Sequence, residues 1–314
     1  MARILLDSGT AYSKLYDLDE GRYEILSNRT LNDLLHRSQA AFEQSLNARC
    51  HSERSEESPP AYDSPRHSEE RDSSPPLHGP RGNLGSGPAP AQNDICRLHI
   101  RLTVVAATGH NASRFSSRVL NELLALAYGG LKLVEDDSFV LVDCGARDIK
   151  MVRVQDRRVQ EMNWNTECGA FCGQTVELLL GHFGLRAEAI APATRPLAVT
   201  CGVLGMTQLF DLIAADVAPA EALARFVRGI AENVQRFAGR PDRFYLSGGF
   251  CDNRLFLDSL DCQVTPLGRF VLLEGLRAEM ARPSPEMCEA GLPIHMDKKG
   301  TYSQRMRGYS AEVV

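Results

Sequence analysis

Phe139 to Val154, FVLVDCGARDIKMVRV, is the stretch whose reading decides the fold. The apolar run Phe139-Val140-Leu141-Val142 predicts a buried strand. It breaks at Asp143-Cys144-Gly145, where a glycine lets the chain turn tightly or approach a ligand closely, and a second strand is expected from Ile149. The same device opens the chain: Ile4-Leu5-Leu6, then Asp7-Ser8-Gly9-Thr10, then Ser13 to Leu18. Asp, Gly and Lys fall at matching offsets in the two copies, Asp7/Gly9/Lys14 and Asp143/Gly145/Lys150. The chain therefore reads as internally duplicated, each half beginning with a strand, turn, strand hairpin.

Working outward from the first hairpin, Tyr23 to Leu26 predicts a third strand and Thr30 to Asp33 a helix start before Leu34, Leu35 and Phe42. Composition changes near Cys50. From His51 to Gln92 there is no Ile, Val, Phe, Met or Trp, and the near-copies HSERSEESPP and HSEERDSSPP sit among Pro, Gly and Ser. Such a segment buries too little apolar surface to offset its ordering entropy, so 51–92 is expected to be a disordered insertion in a surface loop. Order is expected again at Leu102 to Ala106, a strand ending in Thr108-Gly109. A helix follows, with Val119, Leu120, Leu123, Leu124 and Leu126 on its period and Gly129-Gly130 as its stop. After the second hairpin the spacing predicts a strand through Val159 to Asn163 and helices over Gln174–Phe183, Val203–Ala214 and Ala220–Phe237. A strand at Phe244 to Leu246 then runs into Ser247-Gly248-Gly249, followed by a short helix over Asn253–Leu260, a strand at Val264 and a last helix over Leu267–Met280. The tail from Arg282 shows no clear period. The organisation expected is a first lobe over 1–135, a second over 136–281 whose last helix packs on the first lobe, and an irregular tail over 282–314.

A chain of 314 residues, 43% hydrophobic and 24% charged, is long enough for two lobes with real cores. Asp7 interrupts the first apolar run, so the N-terminus does not read as a secretion signal, and no stretch stays apolar for the roughly 18 residues of a membrane span. A cytoplasmic protein with no membrane partner is expected. A net charge of -5 without a basic stripe gives no footprint for nucleic acid. Nine cysteines, an odd number, favour reduced thiols, metal ligands among them, over a disulfide framework. His110, His182 and His295 have no metal-ligand spacing and read as surface or satisfied histidines; Cys144, Cys251 and Cys262 read as buried small residues, and Trp164 as a core anchor.

Two hairpins whose turns carry Asp-x-Gly, with a late Ser-Gly-Gly, point to a nucleotide held between the lobes. Turn amides and Ser, Thr and Lys side chains bind phosphate oxygens in such a cleft, and a carboxylate from each turn holds Mg2+ through its waters.

At this point the residues resemble a family, the ATP-dependent activators of 2-hydroxyacyl-CoA dehydratases and benzoyl-CoA reductases, within the superfamily of actin-like ATPases and sugar kinases. Asp7-Ser8-Gly9-Thr10 with Lys14 is similar to the family's first phosphate motif. Val105-Ala106-Ala107-Thr108-Gly109 resembles its Val-Ala-Thr-Gly strand end, and Asp143 to Lys150 its second phosphate motif, Asp-Ile-Gly-Gly-Gln-Asp-x-Lys. Ser247-Gly248-Gly249 is similar to the adenosine-site glycines. Asn165-Thr166-Glu167-Cys168-Gly169-Ala170 resembles Asn-x-x-Cys-Ala-Ala, and Cys201-Gly202-Val203-Leu204 resembles Cys-x-Val-Phe.

The resemblance implies an α/β fold of two actin-like lobes, a duplicated ribonuclease H-like motif with the nucleotide cleft between them. It implies Asp7, Asp143 and Arg147 at the reacting phosphate, and Ser8, Gly9, Thr10, Lys14, Thr108, Gly109, Gly145, Ala146, Lys150, Gly173, Ser247, Gly248 and Gly249 around ATP and Mg2+. It further implies that Cys168 and Cys201 of each subunit hold one 4Fe-4S cluster across a homodimer axis. The expected role is ATP-driven, low-potential electron transfer from a donor such as ferredoxin or flavodoxin to an acyl-CoA dehydratase or reductase component. Each of the two cysteines precedes a predicted helix, whose free amides and positive end stabilise an anionic cluster. The pattern departs from the family at three places. Arg147 stands for a Gln, Phe171-Cys172-Gly173 for Gly-Thr-Gly, and Gly205-Met206-Thr207 for Ala-Glu-Ser. Arg cannot act as a base but contacts phosphate well. Cys172 reads as a core residue. A sugar-kinase-like phosphotransferase and a non-hydrolytic nucleotide-binding scaffold are the alternatives.

Overall fold

The computed structural model describes residues 2–38, 102–165, 172–199 and 201–281. Phe42, the 51–92 segment, Cys168 with Thr166 to Phe171, His295 and the tail from Arg282 lie outside the described residues. Ala2–Asp33 and the described residues from Thr103 belong to one compact unit.

Strands β1 (Ala2–Ser8), β2 (Tyr12–Asp17) and β3 (Arg22–Ser27) form an antiparallel meander, and β4 (Leu102–Gly109) completes a sheet of order β3-β2-β1-β4. Helix α1 occupies residues 28–38, starting before the expected Thr30 because Ser27 caps it, its hydroxyl accepting from the Thr30 amide at 3.1 Å. Helix α2 (Glu122–Leu133) leads to a second sheet with β5 (Phe139–Cys144), β6 (Ile149–Gln155) and β7 (Arg158–Asn165). Then come α3 (Cys172–Phe183), α4 (Gly202–Ala214) and α5 (Pro219–Phe237), and β8 (Arg243–Gly248), α6 (Arg254–Asp258), β9 (Gln263–Gly268) and α7 (Val271–Met280). This sheet has the order β7-β6-β5-β8-β9. Its first four strands repeat the order of the first sheet, so the duplication inferred from the hairpins extends to four strands. β8 and β9 run parallel to β5, which their helical connections require.

Strand β5 is buried at all six positions, as an apolar run in the middle of a sheet should be. Its two faces feed different cores. Val140, Val142 and Cys144 pack with the buried stripe of α5, Leu223, Phe226, Val227, Ile230 and Val234, whereas Phe139 and Leu141 pack with Leu126 and Leu131 of α2 and Leu272 of α7. Full burial of each such side chain is worth about 1.5–3 kcal/mol. In the first sheet Leu5 and Tyr16 pack on Leu273 and Leu276 of α7.

Gly129-Gly130 does not stop α2, which continues to Leu133. A Cβ on Gly129 would stand 2.0 Å from the carbonyl oxygen of Val271, and one on Gly275 would stand 1.8 Å from that of Ala125. These glycines let α2 and α7 cross backbone to backbone. The expected start of the last helix at Leu267 is also corrected: Leu267 belongs to β9, and α7 begins at Val271. Pro266 lies within β9, an edge strand, where a missing N–H is tolerated. Likewise α2 begins at Glu122, and Val119 instead bridges in parallel to Ala107. Among the described residues no helix is long and apolar enough to cross a membrane.

Candidate functional site

Cross-strand register sets the site. Asp7 pairs with Lys14 between β1 and β2, and Asp143 pairs with Lys150 between β5 and β6. Side chains alternate along a strand, so Asp143 shares a face with Leu141 and Lys150 shares one with Val152. That is the face covered by α2, whose first residue is Glu122. Asp7 shares the corresponding face with Leu5. One cleft is lined by both hairpin turns: Asp7, Ser8, Gly9, Thr10 and Lys14 from the first, and Asp143, Gly145, Ala146, Arg147 and Lys150 from the second, with Gly173 at the start of α3 and Gly248 and Gly249 after β8.

The remaining expected residues, Thr108, Gly109 and Ser247, stand behind this lining. Gly109 and Gly248 occupy equivalent strand ends with φ of +96° and +94°, a region that disfavours any side chain. A Cβ at Gly109 would come within 2.9 Å of Asp7 Oδ1, and one at Gly248 within 3.1 Å of Asp143 Oδ1. Each glycine thus lets its strand end close against the aspartate of the neighbouring strand. Ser247 Oγ donates to Asp143 Oδ1 at 2.7 Å, whereas the equivalent hydroxyl of Thr108 is buried with no hydrogen-bond partner among the described residues. Asn28 at the start of α1 donates to the carbonyls of Gly9 and Thr10 at 3.1 and 2.8 Å and fixes the first turn. In the second turn the Gly145 amide donates to the Asp148 carbonyl at 3.0 Å.

The two lysines are held differently. Lys14 Nζ is 2.8 Å from Asp7 Oδ2 and its side chain keeps 17% exposure. Lys150 Nζ is 2.8 Å from both Glu122 Oε2 and Asp148 Oδ1 and 3.9 Å from Asp143 Oδ2, with its side chain 3% exposed. Burial works against the Lys150 ammonium, but Asp143, Glu122 and Asp148 outweigh it and hold the group above its ordinary range. Burial likewise opposes the Lys14 charge and Asp7 and Asp143 outweigh it. Burial pushes the Glu122 carboxyl up, with Lys150 opposing. Trp164 pairs with Lys150 across β6 and β7, and the ammonium stands 5.0 Å from its ring centroid. The tryptophan is half-buried beside the charge network, not a fully enclosed core anchor.

Glu122, Asp148, Glu177, Asn253, Arg269 and His110 line the cleft without having been singled out for it. For Glu122 a signal existed: Asn121 is the α2 N-cap, its side chain accepting from the Leu123 amide at 2.9 Å, which places the next residue in the first turn. His110 is exposed, as expected of a surface histidine, and its Nδ1 lies 3.3 Å from Arg147 Nη2.

Asp7, Asp143, Asp148 and Glu122 bring four carboxylates to the cleft against Lys14 and Lys150. Among the described residues no three His, Cys, Asp or Glu side chains converge as a metal cage. That donor set fits Mg2+, which keeps several waters and takes its other oxygens from phosphates rather than from an all-protein cage. Cys201 is buried and caps α4, its Sγ accepting from the Leu204 amide at 3.3 Å. A thiol at a helix start is chemically able to ligate a metal, but a cubane needs four thiolates and the described residues gather no such set. Of the described cysteines, Cys144, Cys201 and Cys251 are buried and Cys262 is half-buried. His182 stacks edge-on with Phe183 and Phe210, far from any ligand role in sequence or contact.

No family model matches the chain, and no curated protein matches it. Among solved structures, component A of (R)-2-hydroxyglutaryl-CoA dehydratase from Acidaminococcus fermentans is similar over 89% of this chain and 97% of that one, with 14% identity and a TM-score of 0.54. The activator of 2-hydroxyisocaproyl-CoA dehydratase from Clostridium difficile with bound ADPNP is similar over 93% of this chain and all of that one, again with 14% identity and a TM-score of 0.54. The fold is therefore the two-sheet actin-like fold that these two solved structures share.

Proposed function

We propose that the chain is an ATP-dependent activator that binds Mg2+-ATP in this cleft and passes a low-potential electron to an acyl-CoA dehydratase or reductase component. The observation that carries the reading is the repeated Asp-Lys pair, Asp7 with Lys14 and Asp143 with Lys150, facing one cleft in a fold shared with activators. Asp7 and Asp143 take the waters of Mg2+. Lys14, with one carboxylate partner and some exposure, is the lysine available to phosphate; Lys150, enclosed by three carboxylates, fixes the positions of Asp143 and Asp148 instead. Gly248 and Gly249 with Phe250, Asn253 and Arg269 also line the cleft and are the residues we assign to the nucleoside. ATP drives a change only by binding one arrangement of the two sheets better than another.

Cys201 and Cys168 are the ligands of a 4Fe-4S cluster completed by a second copy, since a cubane needs four thiolates and each chain supplies two. Such a cluster supplies one-electron chemistry. The exposed apolar side chains Val203 and Leu204, directly after Cys201, supply a face for the second copy. A donor such as ferredoxin or flavodoxin recharges it.

Two measurements test this reading. Titration with ADPNP and Mg2+ should show one site per chain, and Asp143→Asn should lower Mg2+-dependent ATP turnover far more than nucleotide affinity. Anaerobic protein should carry about four iron and four sulfide per dimer, lost in Cys168→Ala and Cys201→Ala. Full iron retention by both variants would overturn the cluster reading and leave the nucleotide reading standing.

A further inference from the structure

The turn after β5 and the end of β4 place two side chains in contact across the mouth of the cleft. Arg147 Nη2 lies 3.3 Å from His110 Nδ1 and 3.7 Å from Asp148 Oδ2, and Arg147 and His110 both line the cleft. Their backbones are fixed independently. The His110 amide donates to the Ser8 carbonyl at 2.7 Å, beside the first turn, and the Arg147 turn is closed by the Gly145 amide on the Asp148 carbonyl. We propose that Arg147 is the ligand that distinguishes a nucleoside triphosphate from a diphosphate, and that His110 is its positioning residue, reaching it from the other sheet. This rests on the nucleotide reading above and assigns the terminal phosphate of that nucleotide to one side chain.

The argument is one of donors and acceptors. A guanidinium has five N–H donors in a planar fork and no acceptor, so a contact with a histidine nitrogen requires that nitrogen to carry a lone pair. His110 Nδ1 thus acts as an acceptor and orients one edge of the fork. Asp148 attracts the same nitrogen, at a distance too long for a good hydrogen bond. The contact is exposed and contributes little to stability, so a phosphate oxygen competes for the remaining donors at small cost. Arginine pairs bidentately with phosphate, and a terminal phosphate offers the oxygens and charge that a diphosphate lacks at that position. Lys150 is already enclosed by three carboxylates and Arg269, the other arginine of the cleft, is paired with Asp252, which leaves Arg147 as the cleft guanidinium with donors to spare.

The test is the ratio of ADP to ADPNP dissociation constants, each measured with Mg2+ by calorimetry. Wild type should prefer ADPNP. In Arg147→Ala the ADPNP affinity should fall by about tenfold more than the ADP affinity, the scale of one charge-assisted hydrogen bond. His110→Ala should erode the preference by a few-fold, and His110→Gln, whose amide oxygen can accept from the guanidinium, should restore it. The double variant should behave like Arg147→Ala alone, because His110 acts through Arg147. An unchanged ratio in Arg147→Ala overturns the proposal while nucleotide binding stands. Failure of His110→Gln to recover any preference lost in His110→Ala overturns the positioning role. Wild type that binds neither nucleotide overturns the nucleotide reading itself, and this proposal with it.

Discussion

The two hairpins begin from the same seven-residue offset and end in different electrostatic states. In both, the aspartate and lysine are paired across the strands, so the backbone is repeated. Around the first pair the lysine meets one carboxylate and remains partly exposed, and the neighbouring strand end offers Asp7 no hydroxyl bond: Thr108 has its Oγ1 unpartnered among the described residues. Around the second pair α2 brings Glu122, the turn brings Asp148, β7 brings Trp164 and β8 brings the Ser247 hydroxyl. The repeat fixes position and its neighbours fix role. A symmetric motif thereby supplies one lysine open to a ligand and one locked as a counter-ion.

The largest expected difference is in stability. Lys150→Met leaves the buried Asp143 and the partly buried Glu122 and Asp148 without their shared cation and should cost about 3–5 kcal/mol, the scale for breaking a buried charge set. Lys14→Met strands one carboxylate, the buried Asp7, and should cost less, about 1–3 kcal/mol. Urea unfolding of the two variants measures the gap, and equal losses would break the comparison. The sign of its pH dependence follows from Glu122. Burial already raises this carboxyl, and removing Lys150 raises it further in the folded state alone. A folded-state value above the unfolded one means that the folded variant takes up a proton first as pH falls. The deficit of Lys150→Met should therefore narrow as pH is lowered toward the upper carboxylate range.

Next in size is the crossing that delivers Glu122. Gly275→Ala would drive a Cβ into the Ala125 carbonyl, 1.8 Å from its ideal position, and α2 must shift. A cost of about 2–3 kcal/mol is expected from overpacking. Because α2 carries Glu122, the second pair should be disturbed and the first less so, visible as loss of amide-exchange protection around Lys150 before Lys14. Smaller again is the hydroxyl contrast. Ser247→Ala removes a bond to a buried carboxylate and should cost about 1.5–3 kcal/mol, whereas Thr108→Val removes an unpartnered hydroxyl and should be neutral or stabilising by thermal unfolding.

The hairpins were legible because their information is local: alternation, Asp-x-Gly and a lysine at a fixed offset all lie within a dozen residues. So were the centres of β5, α3, α4 and α5. What failed depended on distant partners. Gly129-Gly130 looks the same in sequence at a helix end and at a helix crossing, and only Val271 and Ala125 in space distinguish the two. β9 is expected only at Val264 but runs over Gln263–Gly268 with Pro266 inside it, which at a sheet edge costs no ladder bond. Glu122 lies 28 positions before Lys150, and nothing local announces their contact. His110 has no metal-ligand spacing in the sequence, and spacing carries no trace of its contact with an arginine 37 positions away.

The smallest effect is spectroscopic and bears on the second hairpin alone. Trp164 is the chain's one tryptophan, and the Lys150 ammonium stands 5.0 Å from its ring centroid. A fixed positive charge over an indole face shifts its emission through the field it imposes. Lys14 belongs to the other hairpin and is not cross-strand to any indole. Emission excited selectively at the tryptophan should therefore shift in Lys150→Met, remain as in wild type in Lys14→Met, and shift partially in Glu122→Gln, which releases one of the carboxylates that hold the ammonium in place. Under the nucleotide reading, ADPNP should move the same signal through Asp143 and Asp148, and Lys150→Met should abolish that response even where nucleotide still binds. An emission change in Lys14→Met as large as that in Lys150→Met would mean that the indole reports cleft electrostatics in general, and the division of labour between the two lysines would fall.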